Sequence, residues 1–215
     1  MAGSLDMPRR EGRAPRMQAA ARRAQILAEA VRVFSDSGYG ATSTAAIAQN
    51  CGVSEPALYR YFSSKRELYL AALDEASSRV LRRWQEISKE SGGALGGLLA
   101  IGQWYFLQVE EEPELLRLRA RADVDAHERD VRERQQAFFL EAFAFVLGLY
   151  EDAEARGELP PETDLRVRTW FFLALGSLID RTEALGLRDS LGFEELGRLI
   201  LLGAPELLAP PVEPG

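Results

Sequence analysis

Two tyrosines and an arginine stand side by side at Tyr59, Arg60 and Tyr61, within the stretch CGVSEPALYRYFSSKREL that begins at residue 51. A guanidinium can bond both acceptors on the major-groove edge of guanine, and tyrosine hydroxyls can bond phosphate oxygens. Lys65 follows a few residues later. Taken singly, such residues are more often surface or core aromatics and solvated charges. Taken together, they favour a surface that binds nucleic acid.

Few residues could support catalysis or bind a metal. The chain has one cysteine, Cys51, and one histidine, His127, so it can form neither an internal disulfide nor a multi-histidine metal site. It contains no phosphate loop, no HExxH and no GxSxG. Cys51 is expected to be a small buried residue, and His127 a solvated one. The sequence therefore predicts a protein that is not an enzyme and that needs no cofactor or metal.

The charge is distributed unevenly along the 215 residues, whose net charge is −7. Residues 1–70 contain ten Lys/Arg and six Asp/Glu, a net +4, while residues 71–215 contain sixteen and twenty-seven, a net −11. This asymmetry indicates an anion-binding head on a body that does not bind polyanions. The N-terminus lacks the apolar stretch of a secretory signal, and no apolar run reaches the roughly 18 residues of a membrane span. We expect a cytoplasmic protein without a membrane partner.

The residues around Arg60 must be positioned by helices. Almost every segment has helical spacing and no window alternates with period two, so we predict an all-α fold of about nine helices. The first helix should end at Ser37-Gly38, because glycine can take the left-handed conformation at a helix C-terminus. The longer helices are expected near residues 64–88, 95–111, 114–122, 125–156, 163–186 and 193–208.

Two short helices joined at Gly52 have the form of a helix-turn-helix unit. The first is capped among residues 42–44, and the second covers residues 54–62, with Ser54 as its N-cap and Pro56 in its first turn. In such a unit the second helix enters the major groove of DNA. Leu58 and Phe62, four residues apart, should face the core and leave the remaining side chains toward DNA.

The run from Arg22 to Leu68 resembles the N-terminal DNA-binding domain of the tetracycline-repressor (TetR) family of bacterial transcription regulators. The resemblance covers about a quarter of the chain. Its landmarks, in order and without gaps, are Phe34, Gly38-Tyr39, Thr42 to Thr44, Ile47-Ala48, Gly52 to Ser54, Leu58-Tyr59, Tyr61-Phe62, Lys65 and Glu67-Leu68.

The resemblance implies contacts with DNA for individual residues. Thr44 and Lys65 would contact phosphate, the two tyrosines would contact the backbone or base edges, and Arg60 is the candidate for reading a base. Glu55 and Pro56 depart from the family, since many members carry a basic or small residue there. The DNA-binding residues expected in the helix-turn-helix of residues 43–62 and beside it are Thr42, Ser43, Thr44, Ser54, Glu55, Pro56, Tyr59, Arg60, Tyr61 and Lys65.

Three aromatic clusters on separate helices of the body could line one ligand cavity, or they could be plain core. Glu141 shares a helix face with aromatic residues, so it either reaches the helix surface or lies in an apolar cavity. In the second case it would orient a cationic or hydrogen-bonding ligand. The candidate pocket residues are Trp104, Tyr105, Phe138, Glu141, Phe145, Trp170 and Phe171.

The predicted domains are a flexible basic arm (1–18), the helix-turn-helix domain (19–66), a ligand-binding and dimerisation domain (67–208) and a flexible tail (209–215). The last two helices offer a surface for two-fold packing. The candidate dimer-interface residues are Leu173, Ser177, Leu196 and Ile200.

The family resemblance implies a homodimeric, ligand-responsive transcription repressor. It would bind double-stranded operator DNA and release it when a small apolar or amphipathic effector enters the body. The alternative is an all-α cytosolic interaction protein, or a regulator without a small-molecule ligand.

Overall fold

The structure, a computed structural model of the chain, describes residues 14–107, 112–159 and 164–187. Within these ranges the regular structure is entirely helical, which confirms the all-α prediction. One turn of 3-10 helix, Asp125–His127, precedes α7. The predicted segment 193–208 lies outside the described residues. The helices are α1 (Ala14–Ala41), α2 (Thr44–Asn50), α3 (Glu55–Leu58), α4 (Lys65–Glu90), α5 (Ala94–Leu107), α6 (Pro113–Val124), α7 (Arg129–Ala155) and α8 (Leu165–Ala184).

Helix α1 supplies one wall of the N-terminal head. Its buried apolar positions include Ile26, Ala30 and Phe34, each fully inaccessible to solvent. The helix begins at Ala14, so residues 14–18, predicted as part of a flexible arm, are helical. It is interrupted where predicted: Gly38 has φ 72° and ψ 172°, a conformation that a residue with a Cβ rarely takes. The break turns the chain toward α2.

Helix α4 runs from the head into the body. Its N-cap, Ser64, accepts a hydrogen bond from the backbone N–H of Glu67, whose carboxylate in turn accepts from the backbone N–H of Ser63 at 2.6 Å. This reciprocal capping fixes the start of the helix. Near that end Tyr69 is buried in the head, and near the other end Trp84 is buried in the body. One continuous element therefore joins the two regions.

The body is built around Trp84, which contacts rings from three other helices. Its ring centroid lies 5.8 Å from that of Tyr105 on α5, 6.5 Å from Phe138 and 6.3 Å from Phe145 on α7, and 6.5 Å from Phe172 on α8. Offset and edge-to-face ring pairs at these separations are favourable. Each predicted aromatic cluster thus contributes at least one ring to this core.

Helix α7 starts later than residue 125, where it was predicted. Residues 125–127 form the 3-10 turn and Glu128 is extended, with φ −75° and ψ 129°.

Among the described helices, none is long and apolar enough to cross a membrane. The same residues contain no group of three or more His, Cys, Asp or Glu side chains that could hold a metal ion.

Candidate nucleic-acid interface

The turn between α2 and α3 is closed by backbone hydrogen bonds. The N–H of Val53 donates to the carbonyl of Ala48 at 3.0 Å, and Gly52 takes φ 66° between the two helices. Cys51 is buried in this turn, and burial raises the pKa of its thiol. A protonated buried thiol is a poor nucleophile, which agrees with the predicted structural role of Cys51.

Helix α3 is shorter than the predicted span of residues 54–62. After Leu58 the N–H groups of Arg60 and Tyr61 bond to carbonyls three residues back, at 3.3 and 2.9 Å. Such bonds tighten the chain into a turn that still continues to Phe62. Leu58 and Phe62 are 0% and 1% exposed, so they anchor this segment as predicted.

A polar cluster joins the two short helices. Oγ1 of Thr44 lies 2.5 Å from Oε1 of Glu55 and 3.1 Å from the hydroxyl of Tyr59. A carboxylate only accepts hydrogen bonds, so Thr44 donates to Glu55 and Tyr59 donates to Thr44. Glu55 is half-buried, with its carboxylate directed across the unit to α2. The cluster fixes the orientation of the partly exposed Tyr59 ring.

Lys65, at the start of α4, lies beside the connection that precedes α2. Its Nζ is 3.4 Å from the carbonyl oxygen of Gly40 and 4.6 Å from the ring centroid of Tyr39. The ammonium group has three donors, and this carbonyl occupies one of them. Tyr39 is thus a support for Lys65 that the sequence interpretation did not assign.

The ten predicted DNA-binding residues differ in exposure. Thr42 and Thr44 are buried, and the Thr42 hydroxyl donates to the carbonyl of Gly38 at 2.7 Å. The half-buried residues are Glu55, Tyr61 and Lys65, and the exposed ones are Ser43, Ser54, Pro56, Tyr59 and Arg60. Arg60 is exposed and lies between two tyrosines on an anchored turn, so its side chain can extend away from the protein.

Comparisons with known proteins agree with this geometry. The family described as "Bacterial regulatory proteins, tetR family" matches residues 26–72. The helix-turn-helix transcriptional activator FasR of Mycolicibacterium smegmatis is 36% identical over 110 residues, which are 51% of this chain and 49% of FasR. A solved TetR-family regulator from Mesorhizobium loti superposes with a TM-score of 0.72 at 21% identity, over 89% of this chain and 96% of that one. Residues 26–72 thus resemble the TetR family in sequence, and the chain resembles a solved TetR-family regulator in fold.

The family match at residues 26–72 confirms the resemblance predicted from residues 22–68. The fold extends through the body: FadR of Bacillus subtilis, solved with stearoyl-CoA, superposes with a TM-score of 0.68 at 20% identity, over 88% of this chain and 99% of FadR. The part of the chain that matches FasR spans about half of its length, 49% of FasR.

The seven residues predicted to line a ligand pocket lie in different environments. Tyr105 and Phe138 are buried, and Trp104 and Phe145 are half-buried. Trp170 and Phe171 are 54% and 68% exposed, so in this structure they lie on the surface of α8. Glu141 is exposed as well, which corresponds to the helix-surface alternative for this residue.

The sequence interpretation missed the charged group that the body does bury. Arg119 on α6 is 8% exposed, and its Cζ lies 3.3 Å from the ring centroid of Phe138. Its Nη1 donates to the hydroxyl of Ser77 on α4 at 3.0 Å. The spacing of residues in the sequence predicts this burial, because Arg119 follows Leu115 by four residues and precedes Ala122 by three and so shares their apolar face.

The candidate dimer residues are only partly described. Leu173 is 6% exposed within the single chain, so it packs in the chain's own core, whereas Ser177 is exposed. Leu196 and Ile200 lie outside the described residues. The exposed large apolar side chains of α8 are Val167, Trp170, Phe171 and Leu178.

Proposed function

We propose that this protein is a cytoplasmic TetR-family repressor that binds operator DNA as a homodimer and releases it when a small amphipathic ligand enters its body. It acts by binding and not by catalysis. The observation that carries the proposal is the anchored turn after α3, in which buried Leu58 and Phe62 hold Tyr59 and Arg60 at the surface. This turn lies inside the matched residues 26–72.

In the proposed complex the segment from α3 to Phe62 lies in the major groove. Arg60 reads a guanine through its guanidinium, while Tyr59, Tyr61 and Lys65 contact phosphates or base edges. Ser43 and Ser54 are exposed N-cap residues whose hydroxyls make no capping bond, so both are available to phosphate oxygens. Pro56 completes the exposed face.

A dimer would present two such heads to two half-sites. Helix α8 is proposed as part of the two-fold interface, because large apolar groups in one region of a surface mark interaction sites. Its exposed apolar side chains are Val167, Trp170, Phe171 and Leu178. Trp170 and Phe171 thus fit an interface better than the pocket first predicted for them. Heads about 34 to 36 Å apart would match one helical turn of DNA.

The body is proposed to hold the effector, and the domains are proposed to be residues 19–66 and 67–208. FadR, with the same fold, was solved with stearoyl-CoA. A ligand can release DNA only to the extent that it binds the non-operator state more tightly than the operator state. Since FasR is named an activator, the direction of regulation is a separate part of the proposal.

The first test is binding to the promoter next to the protein's own gene, by footprinting and fluorescence anisotropy at fixed salt. Arg60→Ala should weaken binding by about 10- to 100-fold, since one bidentate base contact supplies about 1–3 kcal/mol of discrimination. The matched control is Arg82→Ala, an exposed arginine on α4. Failure of the wild type to protect any promoter segment, or equal losses in both variants, would contradict the proposed DNA-binding mode.

A further inference from the structure

The described part of the body contains buried nitrogen donors without hydrogen-bond partners. They include Nε1 of Trp84, in a side chain 2% exposed, and Nε of Arg119, in a side chain 8% exposed. Nearly all buried donors in native proteins are paired, because an unpaired one loses its hydration without compensation. Both donors lie in the region proposed to hold the effector, and together they indicate an acceptor-bearing ligand.

Arg119 is also a buried charge. Within the described ranges it forms no ion pair; its partners are the hydroxyl of Ser77, 3.0 Å from Nη1, and the ring of Phe138. A guanidinium stays protonated in proteins, and a buried charge is costly unless an opposite charge or several hydrogen bonds compensate it. One neutral hydroxyl and one aromatic face provide only part of that compensation.

The ring of Phe138 lies near both Arg119 and Trp84. Phe138 lies against the Arg119 guanidinium and is also 6.5 Å, centroid to centroid, from Trp84. Around Trp84 the other rings, from α5, α7 and α8, are Tyr105, Phe145 and Phe172. The Arg119 guanidinium therefore lies at the edge of a cluster of aromatic rings. This arrangement suits a molecule with a negatively charged group and an apolar body.

We propose that the effector is an anionic amphiphile whose carboxylate, sulfate or phosphate group binds Arg119 and whose apolar body enters the ring cluster around Trp84. The inference deepens the proposed function and rests on it. The ligand's charge is opposite to that of the cationic ligand considered for Glu141, whose side chain is exposed. Charge-assisted hydrogen bonds to the Arg119 fork would supply the acceptors that Nε lacks.

The position of Arg119 also connects such a ligand to the head. Ser77, which accepts from Arg119, lies on α4, the helix that carries Tyr69 into the head. An anion that binds the guanidinium competes with the Ser77 hydroxyl for Nη1. Binding would thus act on the α4–α6 contact, and through α4 on the DNA-binding surface.

Matched probes test the inference on the full-length protein. Decanoate, decyl sulfate, 1-decanol and decyltrimethylammonium, together with 2-naphthoate and 2-naphthol, are compared by thermal shift and by isothermal titration below their aggregation concentrations. At least one anion should bind about tenfold more tightly than the neutral compound with the same body, since a hydrogen bond to a charged group is worth about 1.5–3 kcal/mol. The carboxylate and sulfate probes distinguish two of the three proposed headgroups.

Arg119→Met removes the charge and keeps the length of the side chain. It should fold with unchanged or higher stability, because replacing a buried charge by an apolar group is often neutral or stabilising. Its preference for the anion over the neutral probe should disappear, whereas Arg119→Lys should keep part of that preference. The control is Arg121→Met, which removes an exposed arginine from the same helix and changes the net charge equally.

Two results would overturn the inference. One is a wild type that binds no anionic probe more tightly than its neutral counterpart. The other is an anion preference that persists in Arg119→Met or is lost equally in Arg121→Met. In both cases promoter protection by the wild type would be intact, so this failure is distinguishable from failure of the DNA-binding proposal, in which no promoter segment is protected.

Discussion

Glu55 places a negative charge in a surface proposed to face phosphates, and the structure provides a physical reason for it. Its carboxylate accepts the Thr44 hydroxyl, 2.5 Å away, and Thr44 in turn lies 3.1 Å from the hydroxyl of Tyr59. In the proposed complex, repulsion between the carboxylate and DNA would oppose binding, while the hydrogen-bonded cluster orients Tyr59, which is proposed to contact DNA. The two effects of Glu55 have opposite signs and can be separated by substitution.

Glu55→Gln should tighten operator binding several-fold at low salt. The amide oxygen still accepts the Thr44 hydroxyl, so the orientation of Tyr59 is kept while the charge is removed. Glu55→Ala removes the charge and the hydrogen bond together, and should bind more weakly than Glu55→Gln. Anisotropy titrations with operator DNA at 50 and 200 mM salt measure both variants. Equal affinities of Glu55→Gln and wild type at low salt would show that the carboxylate does not oppose DNA.

At the residue scale, the sequence predicted contacts between near neighbours. Leu58 and Phe62 lie on one helix face, and their burial follows from a spacing of four. The partners of Glu55 and Arg119 lie 11 and 42 residues away along the chain, on other helices. Their contacts depend on how helices pack, which the spacing of residues within one helix does not specify.

At the element scale, glycine and proline determined how well helix ends could be predicted. The interruption of α1 at Gly38 and the start of α6 at Pro113 follow from backbone preferences of those residue types. The C-terminal end of α3 and the start of α7 carry no such residue. There the chain tightens into bonds three residues apart or forms a 3-10 turn, and tertiary packing determines the boundary.

The connection between α1 and α2 offers a matched pair of glycines. Gly38→Ala should destabilise the protein by about 1–2 kcal/mol, because a Cβ disfavours its positive φ of 72°. Gly40→Ala should leave stability unchanged or raise it by up to about 1 kcal/mol, since its φ is not positive and a Cβ would meet nothing within 4 Å. Urea unfolding at pH 7 measures both. Equal destabilisation by the two substitutions would contradict the conformational explanation.

At the scale of the whole molecule, polar contacts fasten the head to the body beside α4. Arg66 donates to both carboxylate oxygens of Asp130, with an Nε–Oδ2 distance of 2.9 Å. Burial and a 2.8 Å hydrogen bond to Asp125 raise the pKa of Tyr69, so its hydroxyl stays protonated and donates. Arg121 also donates to the carbonyl of Asp36 at 3.1 Å. These contacts join α6, the 3-10 turn and α7 to the head.

The Arg66–Asp130 pair makes this attachment dependent on pH. The hydrogen bond from Arg66 lowers the pKa of Asp130 below its ordinary value. A carboxyl group with a lowered folded-state pKa stabilises the protein above the pKa of the unfolded chain, and that contribution is lost as the pH falls through the folded-state pKa. Asp130→Asn should therefore unfold at a lower urea concentration than wild type at pH 7. The difference between the two midpoints should shrink as the pH approaches the pKa of an ordinary aspartate and falls below it.

Hydrogen exchange distinguishes a head–body attachment from a general loss of stability. In Asp130→Asn at pH 7, amides of residues 44–62 should exchange faster relative to those of α7 than in wild type, because local opening of the head becomes easier. The matched control is Asp74→Asn, which breaks a pair with Arg134 (3.1 Å) between α4 and α7 rather than between the head and the body. Equal protection of the head in both variants, or a urea difference that does not change with pH, would exclude Asp130 as the attachment, since neither result follows from an ion pair that holds the head in place.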